Sequence, residues 1–129
     1  MHEVSVMGDM IKAALDELSE HDVDSVEELT LVIGDLTNLG TDQLSFAFEI
    51  MSRDTILADA KLVIERETIR LRCRECDFDG PAEILRSEGY DHSVPVLACP
   101  VCGGPVNVTE GMACMIRSLK IKEATDVQI

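Results

Sequence analysis

Four of the five cysteines fall in two pairs, Cys73-Arg-Glu-Cys76 and Cys99-Pro-Val-Cys102, with 22 residues between them. A CxxC turn sets two thiolates on one side of a tight backbone knuckle. Two such knuckles complete the tetrahedral four-sulfur set that zinc favours. Gly103 and Gly104 after the second pair suit a turn with positive φ, while Asp77 stands at the matching place after the first. The same four thiols would also serve a single iron of rubredoxin type or a pair of redox dithiols. Under the zinc reading all four coordination positions are filled, so no catalysis is expected at the metal and no catalytic residue is assigned. Cys114, the fifth cysteine, lies in an alternating stretch and reads as a small core residue.

The second chemical feature is the amino terminus. His2 stands next to the terminal amine of Met1 and is followed by Glu3. An α-amine with a pKa near 8 gives up its proton once a metal competes for it. Amine, imidazole and adjacent backbone amide nitrogens can then hold one ion through fused chelate rings, the planar all-nitrogen set preferred by Ni(II) and Cu(II). Deprotonation of the amides makes such binding tighten as pH rises. Of the other two histidines, His21 is placed to cap the end of a helix or to face water. His92 sits near the cysteine pairs and could add a supplementary imidazole.

These residues need a scaffold, and the chain supplies one. Val4, Met7, Ile11, Ala14, Leu15 and Leu18 recur at helical spacing and predict an amphipathic first helix. Leu29, Leu31 and Ile33 alternate as in a strand. Thr41 can cap a second helix with Asp42 in its first turn, Leu44, Phe48 and Met51 on its apolar face, and Phe46 expected in the core. Residues 60–65 predict a second strand, and Ile69, Leu71 and Cys73 continue its alternation. Regular periodicity is lost between Cys73 and Pro105. A last strand runs from about Met112 to Lys122, where a shift of apolar phase predicts a bulge near Arg117 and Ser118. The fold class expected is α+β: two helices packed on a small mixed β-sheet, with an inserted zinc-ribbon-like module. The α/β domain is residues 1–72, completed by the strand at 111–129, and the zinc-binding module is residues 73–110. If the last strand joins the sheet of the first two, the module is an insertion between sheet strands.

Composition narrows the setting. The chain has 129 residues, 25 acidic and 11 basic, for a net charge of −14, with 46% hydrophobic residues. That hydrophobic content supports a packed core. The charge disfavours nucleic acid and anionic membrane as partners and favours cations or basic surfaces. Residues 1–72 hold 16 of the acids and 6 of the bases, so the field is strongest in the segment carrying His2. No stretch approaches the ~18 apolar residues of a membrane span, and no basic leader opens the sequence. A cytoplasmic location is expected, with reduced cysteines free to bind metal.

Taken in order, Met1-His2-Glu3-Val4-Ser5, Ile33-Gly34-Asp35-Leu36, Leu44-Ser45-Phe46-Ala47-Phe48-Glu49, the two CxxC pairs and Ile116-Arg117-Ser118-Leu119 resemble the HypA (HybF) family over essentially the whole chain. The chain departs from that pattern at Asp77 and in a longer gap between the CxxC pairs, which includes residues 83–94. The resemblance implies a nickel metallochaperone of [NiFe]-hydrogenase maturation and not an enzyme. It implies Ni(II) as labile cargo at Met1, His2 and Glu3, through the amine, the imidazole and the backbone nitrogens of His2 and Glu3. It implies structural zinc at Cys73, Cys76, Cys99 and Cys102. It also implies a HypB-type GTPase and the hydrogenase large-subunit precursor as partners. The alternative reading is a zinc-ribbon protein-interaction adaptor without specific nickel delivery.

Overall fold

A computed structural model of the chain describes residues 2–86 and 93–123. Helix α1 spans Glu3–Leu18, strand β1 Val23–Gly34, and helix α2 Thr41–Met51, with a single 3₁₀ turn at Asp35–Thr37 between β1 and α2. Strand β2 covers Lys61–Glu67 and β3 Arg70–Cys73. Four further strands follow: β4 Asp79–Pro81, β5 Glu83–Arg86, β6 Ser93–Val96 and β7 Val106–Glu110. Strand β8, Cys114–Glu123, completes the set. Two helices and small mixed sheets make this an α+β fold.

By its contacts the chain divides into two units. The first holds Asn38–Glu65 together with the stretch ending at Ile33 and the stretch beginning at Cys114. The second holds Gly34–Thr37 and Arg66–Ala113. The division therefore falls at 65/66 and 113/114, against the expected 72/73 and 110/111. It also assigns the short turn after β1 to the cysteine-bearing unit. The physical reason is strand pairing: β3 pairs antiparallel with β4 and β7, so its residues pack with the cysteine region and do not extend β2.

In the first unit the sheet order is β2-β1-β8, with β8 antiparallel to β1. The last strand thus joins the sheet of the first two, which makes the cysteine-bearing segment an insertion between strands. Central β1 has a neighbour on both edges, and Leu29, Leu31 and Ile33 project from it into complete burial. Met7, Met10, Ile11, Ala14 and Leu18 from α1, with Leu44, Ala47 and Phe48 from α2, close the core over them. Burying each such large side chain contributes roughly 1.5–3 kcal/mol. The helical stripe read from sequence is largely this buried face. Val4 departs from it: it lies in the first turn, 65% exposed. Met10, which the stripe omits, is buried.

Three local expectations are corrected. Phe46 is 65% exposed, not in the core, because α2 turns Leu44, Ala47 and Phe48 inward and leaves position 46 on the opposite face. Helix α2 begins at Thr41 itself, with Gly40 in the cap position. Cys114 is exposed at the start of β8. The bulge falls where expected: Thr30 pairs with Ser118 and Leu31 with Ile116, so Arg117 is the extra residue. Between Cys73 and Pro105 the chain is more regular than its periodicity suggests. Strands β4, β5 and β6 are only three or four residues long, too short to leave a readable alternation.

Candidate metal centre

The pairing of β3 with β7 brings the four cysteines together. Cys73 is the last residue of β3 and pairs with Val106, the first of β7. The first knuckle leaves the end of β3, and the second, Cys99 to Pro105, leads directly into β7. Both therefore lie at one end of the ladder. Short hydrogen bonds close each turn. Cys73 N–H donates to the Phe78 carbonyl (3.0 Å), Arg74 N–H to the Pro105 carbonyl (3.0 Å) and Cys99 N–H to the Gly104 carbonyl (3.0 Å). The Arg74 Nε donates to Asn107 Oδ1 at 2.9 Å, tying the first knuckle to β7.

The backbone of each knuckle points at sulfur. Glu75 and Cys76 N–H donate to Cys73 Sγ, both at 3.3 Å. Val101 and Cys102 N–H donate to Cys99 Sγ at 3.3 and 3.4 Å. Gly103 holds φ at +75°, the left-handed turn expected there, and its N–H bonds the Cys99 carbonyl at 2.9 Å. The first knuckle aims its N–H groups at Cys73 Sγ with Asp77 outside the left-handed region, so neither glycine nor a positive φ is required there.

All four sulfurs lie within 4.8 Å of one another, with Cys73–Cys102 and Cys76–Cys99 each at 3.6 Å. A tetrahedron with metal–sulfur bonds of ~2.3 Å has edges of ~3.8 Å, so the donor set fits a tetrahedral thiolate-bound metal such as zinc. Charge on the sulfurs is unevenly supported by the protein itself. Burial pushes the Cys99 thiol up, but N–H groups of Cys102 and Val101 and the neighbouring thiols Cys76 and Cys102 bring it down to about 7. At Cys76 the Phe78 N–H favours the thiolate, yet burial and the three neighbouring thiols outweigh it and raise the group to about 12. Four sulfurs this close cannot all ionise without a cation among them.

His2 precedes α1, is exposed, and its carbonyl accepts the Val6 N–H at 2.9 Å as the first bond of the helix. Glu3 is the first helical residue, so its own N–H lies outside the helical ladder. The Glu3 carboxylate accepts the Gly40 N–H at 3.0 Å, linking the start of α1 to the cap of α2. That bond, helped by the Glu3 N–H, holds the carboxyl below its ordinary value of 4.5. Gly40 was invisible to sequence reasoning as a neighbour of the terminus, since 37 residues separate it from Glu3. Met1 and His92 lie outside the described residues. His21 is exposed, with Nε2 3.1 Å from Glu17 Oε2. Among the described residues the four cysteines are the one group of three or more side chains arranged to hold a metal.

Fold and site together define a small α+β protein with a four-cysteine cluster able to hold a metal ion. Residues 1–121 match the family model described as "Hydrogenase/urease nickel incorporation, metallochaperone, hypA". The hydrogenase maturation factor HypA of Methanothermobacter thermautotrophicus is 32% identical over 124 residues, covering 95% of this chain and 98% of that one. The HypA of Desulfitobacterium hafniense is 34% identical over 124 residues, covering 95% and 100%. The solution structure of the Ni metallochaperone HypA from Helicobacter pylori shares the fold, with a TM-score of 0.64 over 95% of this chain and 99% of that one at 22% identity. The chain belongs to the HypA family of nickel metallochaperones. Among the described residues no helix is long and apolar enough to cross a membrane.

Proposed function

We propose that this protein captures Ni(II) at its amino terminus and delivers it for maturation of a [NiFe]-hydrogenase, without catalytic activity of its own. The nickel ligands in this reading are the Met1 amine, the His2 imidazole and the backbone nitrogens of His2 and Glu3. Zinc at Cys73, Cys76, Cys99 and Cys102 is structural: it crosslinks the ends of β3 and β7 and neutralises sulfurs that cannot share one site as free thiolates. The receiving partners are a HypB-type GTPase and the hydrogenase large-subunit precursor, and the setting is the cytoplasm.

The observation that carries this reading is the match of residues 1–121 to the nickel-incorporation family, which takes in Met1, His2 and Glu3. The local structure is compatible with it. His2 is exposed, and the Glu3 N–H is not committed to a helical bond. The Glu3 carboxylate is already engaged with Gly40, which favours nitrogen ligation over carboxylate ligation. Release to a partner requires a labile site, and the exposed position of His2 ahead of α1 suits it. Protons compete with the metal for the imidazole, so binding weakens as pH falls.

The test is a nickel titration of the zinc-loaded protein with a native amino terminus, beside His2→Ala and an amine-blocked form. Both changes should abolish one-to-one nickel binding while zinc stays bound. Unchanged nickel affinity in either would mean that nickel binds elsewhere than the amino terminus.

A further inference from the structure

Strand β8 is the outermost strand of the β2-β1-β8 sheet. One of its edges pairs with β1 from Val23 to Ile33, and the other meets no strand among the described residues. A ten-residue edge leaves a row of N–H and C=O groups available to an incoming chain. Beside it lies a groove of about 310 Å³. Leu18 from α1 and Ile116, Leu119 and Ile121 from β8 form its apolar wall, and Glu17 and His21 stand at its rim. Its lining comes from the end of α1, the turn after it and β8, with no residue of β1. Its volume lies at the small end of ligand pockets, roughly 300–1,000 Å³, and suits a bulky apolar side chain. A free backbone edge beside a side-chain pocket is the arrangement used for strand addition, with the edge giving affinity and the pocket giving specificity.

Charge identifies what would add. In a chain of net −14, β8 carries Arg117, Lys120 and Lys122 against Glu123 alone. Arg117 reaches Glu65 at 3.4 Å and Lys120 reaches Glu27 at 3.7 Å. Lys122 makes no ion pair among the described residues. Antiparallel pairing of β8 with a second β8 would crowd these cations together, which is destabilising. The charges that keep two copies apart select a strand of opposite sign. We propose that the free edge of β8 docks an extended segment of a partner protein in which apolar residues, seated in the groove beside α1, alternate with acidic ones facing Arg117, Lys120 and Lys122. This surface does not depend on nickel.

The test uses the full zinc-loaded chain and a synthetic, end-capped peptide alternating glutamate with valine and leucine. Its counterpart carries lysine for every glutamate. Fluorescence anisotropy measures affinity, and amide exchange locates protection. The acidic peptide should bind and protect amides of β8, with the lysine peptide at least about 10-fold weaker. Lys122→Glu, on an exposed side chain, should weaken the acidic peptide by about fivefold. Ser118→Phe, which fills the groove mouth, should abolish binding with the circular dichroism spectrum unchanged. Equal binding of the two peptides, or binding without protection of β8, overturns the proposal. So does protection of β8 in the peptide-free protein that rises with protein concentration, which would make a second copy the occupant.

Discussion

Replacing Gly34 with alanine should be among the most damaging single changes in the chain. Gly34 ends β1, where its N–H donates to the Ala113 carbonyl at 2.7 Å and the Leu36 N–H donates to the Gly111 carbonyl at 2.8 Å. A Cβ at position 34 would collide with the carbonyl carbon and oxygen of Gly111 and lie 2.6 Å from Met112 N. All three are backbone atoms, so no side chain can swing aside. Separating the strands lengthens both hydrogen bonds, at about 1 kcal/mol each. Overpacking adds about 2 kcal/mol. The expected loss of about 4 kcal/mol is a large share of a folding stability of ~5–15 kcal/mol. For a chain of this size it lowers the thermal midpoint by roughly 15 °C. Thermal and urea unfolding followed by circular dichroism, with zinc kept saturating, measures it. Gly103→Ala is the control. Its φ of +75° disfavours a side chain, but nothing lies within 4 Å of the added Cβ, so it should cost only about 1 kcal/mol. A Gly34→Ala midpoint within about 2 °C of the parent, or no lower than that of Gly103→Ala, would refute the close approach of Gly34 to Gly111.

The Glu3–Gly40 bond should depend on pH. Because the folded carboxyl titrates below its ordinary value of 4.5, its contribution is present above that value and is lost as pH falls through the lower folded value. The Gly40 amide resonance should follow this titration, and Glu3→Gln should remove the inflection; an inflection that persists in Glu3→Gln would contradict the bond. Cys114 is accessible, but partial burial raises its thiol above the ordinary 9.0. It should therefore alkylate at pH 8 more slowly than a free cysteine peptide, and an equal or faster rate would count against the raised thiol. Cys73→Ser should abolish stoichiometric zinc binding yet keep the helical signal at 222 nm, since both helices and their core lie in the other unit. Loss of the helices together with zinc would show that the two units do not fold as separately as their contacts indicate.

The main unit was legible because its elements are long enough to repeat. Sixteen residues of α1 and twelve of β1 carry several turns or alternations of buried side chains, such as Met7-Ile11-Ala14-Leu18 and Leu29-Leu31-Ile33. The bulge at Arg117 was legible for the same reason, as a change of phase inside a long strand. Phe46 departs from the expected burial because aromatic character does not fix a helix face: α2 turns Phe48 inward and position 46 outward. Strand β3 misled because its alternation runs on from β2 while its hydrogen-bond partners, β4 and β7, are distant in sequence. The four-cysteine centre needed only spacing, since a CxxC knuckle is local and the pairing is simple. The supports around it were not legible. Asn107 beneath Arg74 and Gly40 beside Glu3 are contacts made by tertiary folding, and no periodicity announces them.

In the proposed function one protein holds two metals by two chemistries, a permanent one on sulfur and a labile one on the nitrogens of its first residues. Native mass spectrometry of the chain with an unmodified amino terminus, loaded with zinc and then nickel, tests this directly. One zinc and one nickel per chain are expected, with a brief chelator wash removing nickel alone and His2→Ala retaining zinc alone. Nickel that displaces zinc from Cys73, Cys76, Cys99 and Cys102, or that stays bound in His2→Ala, would contradict it.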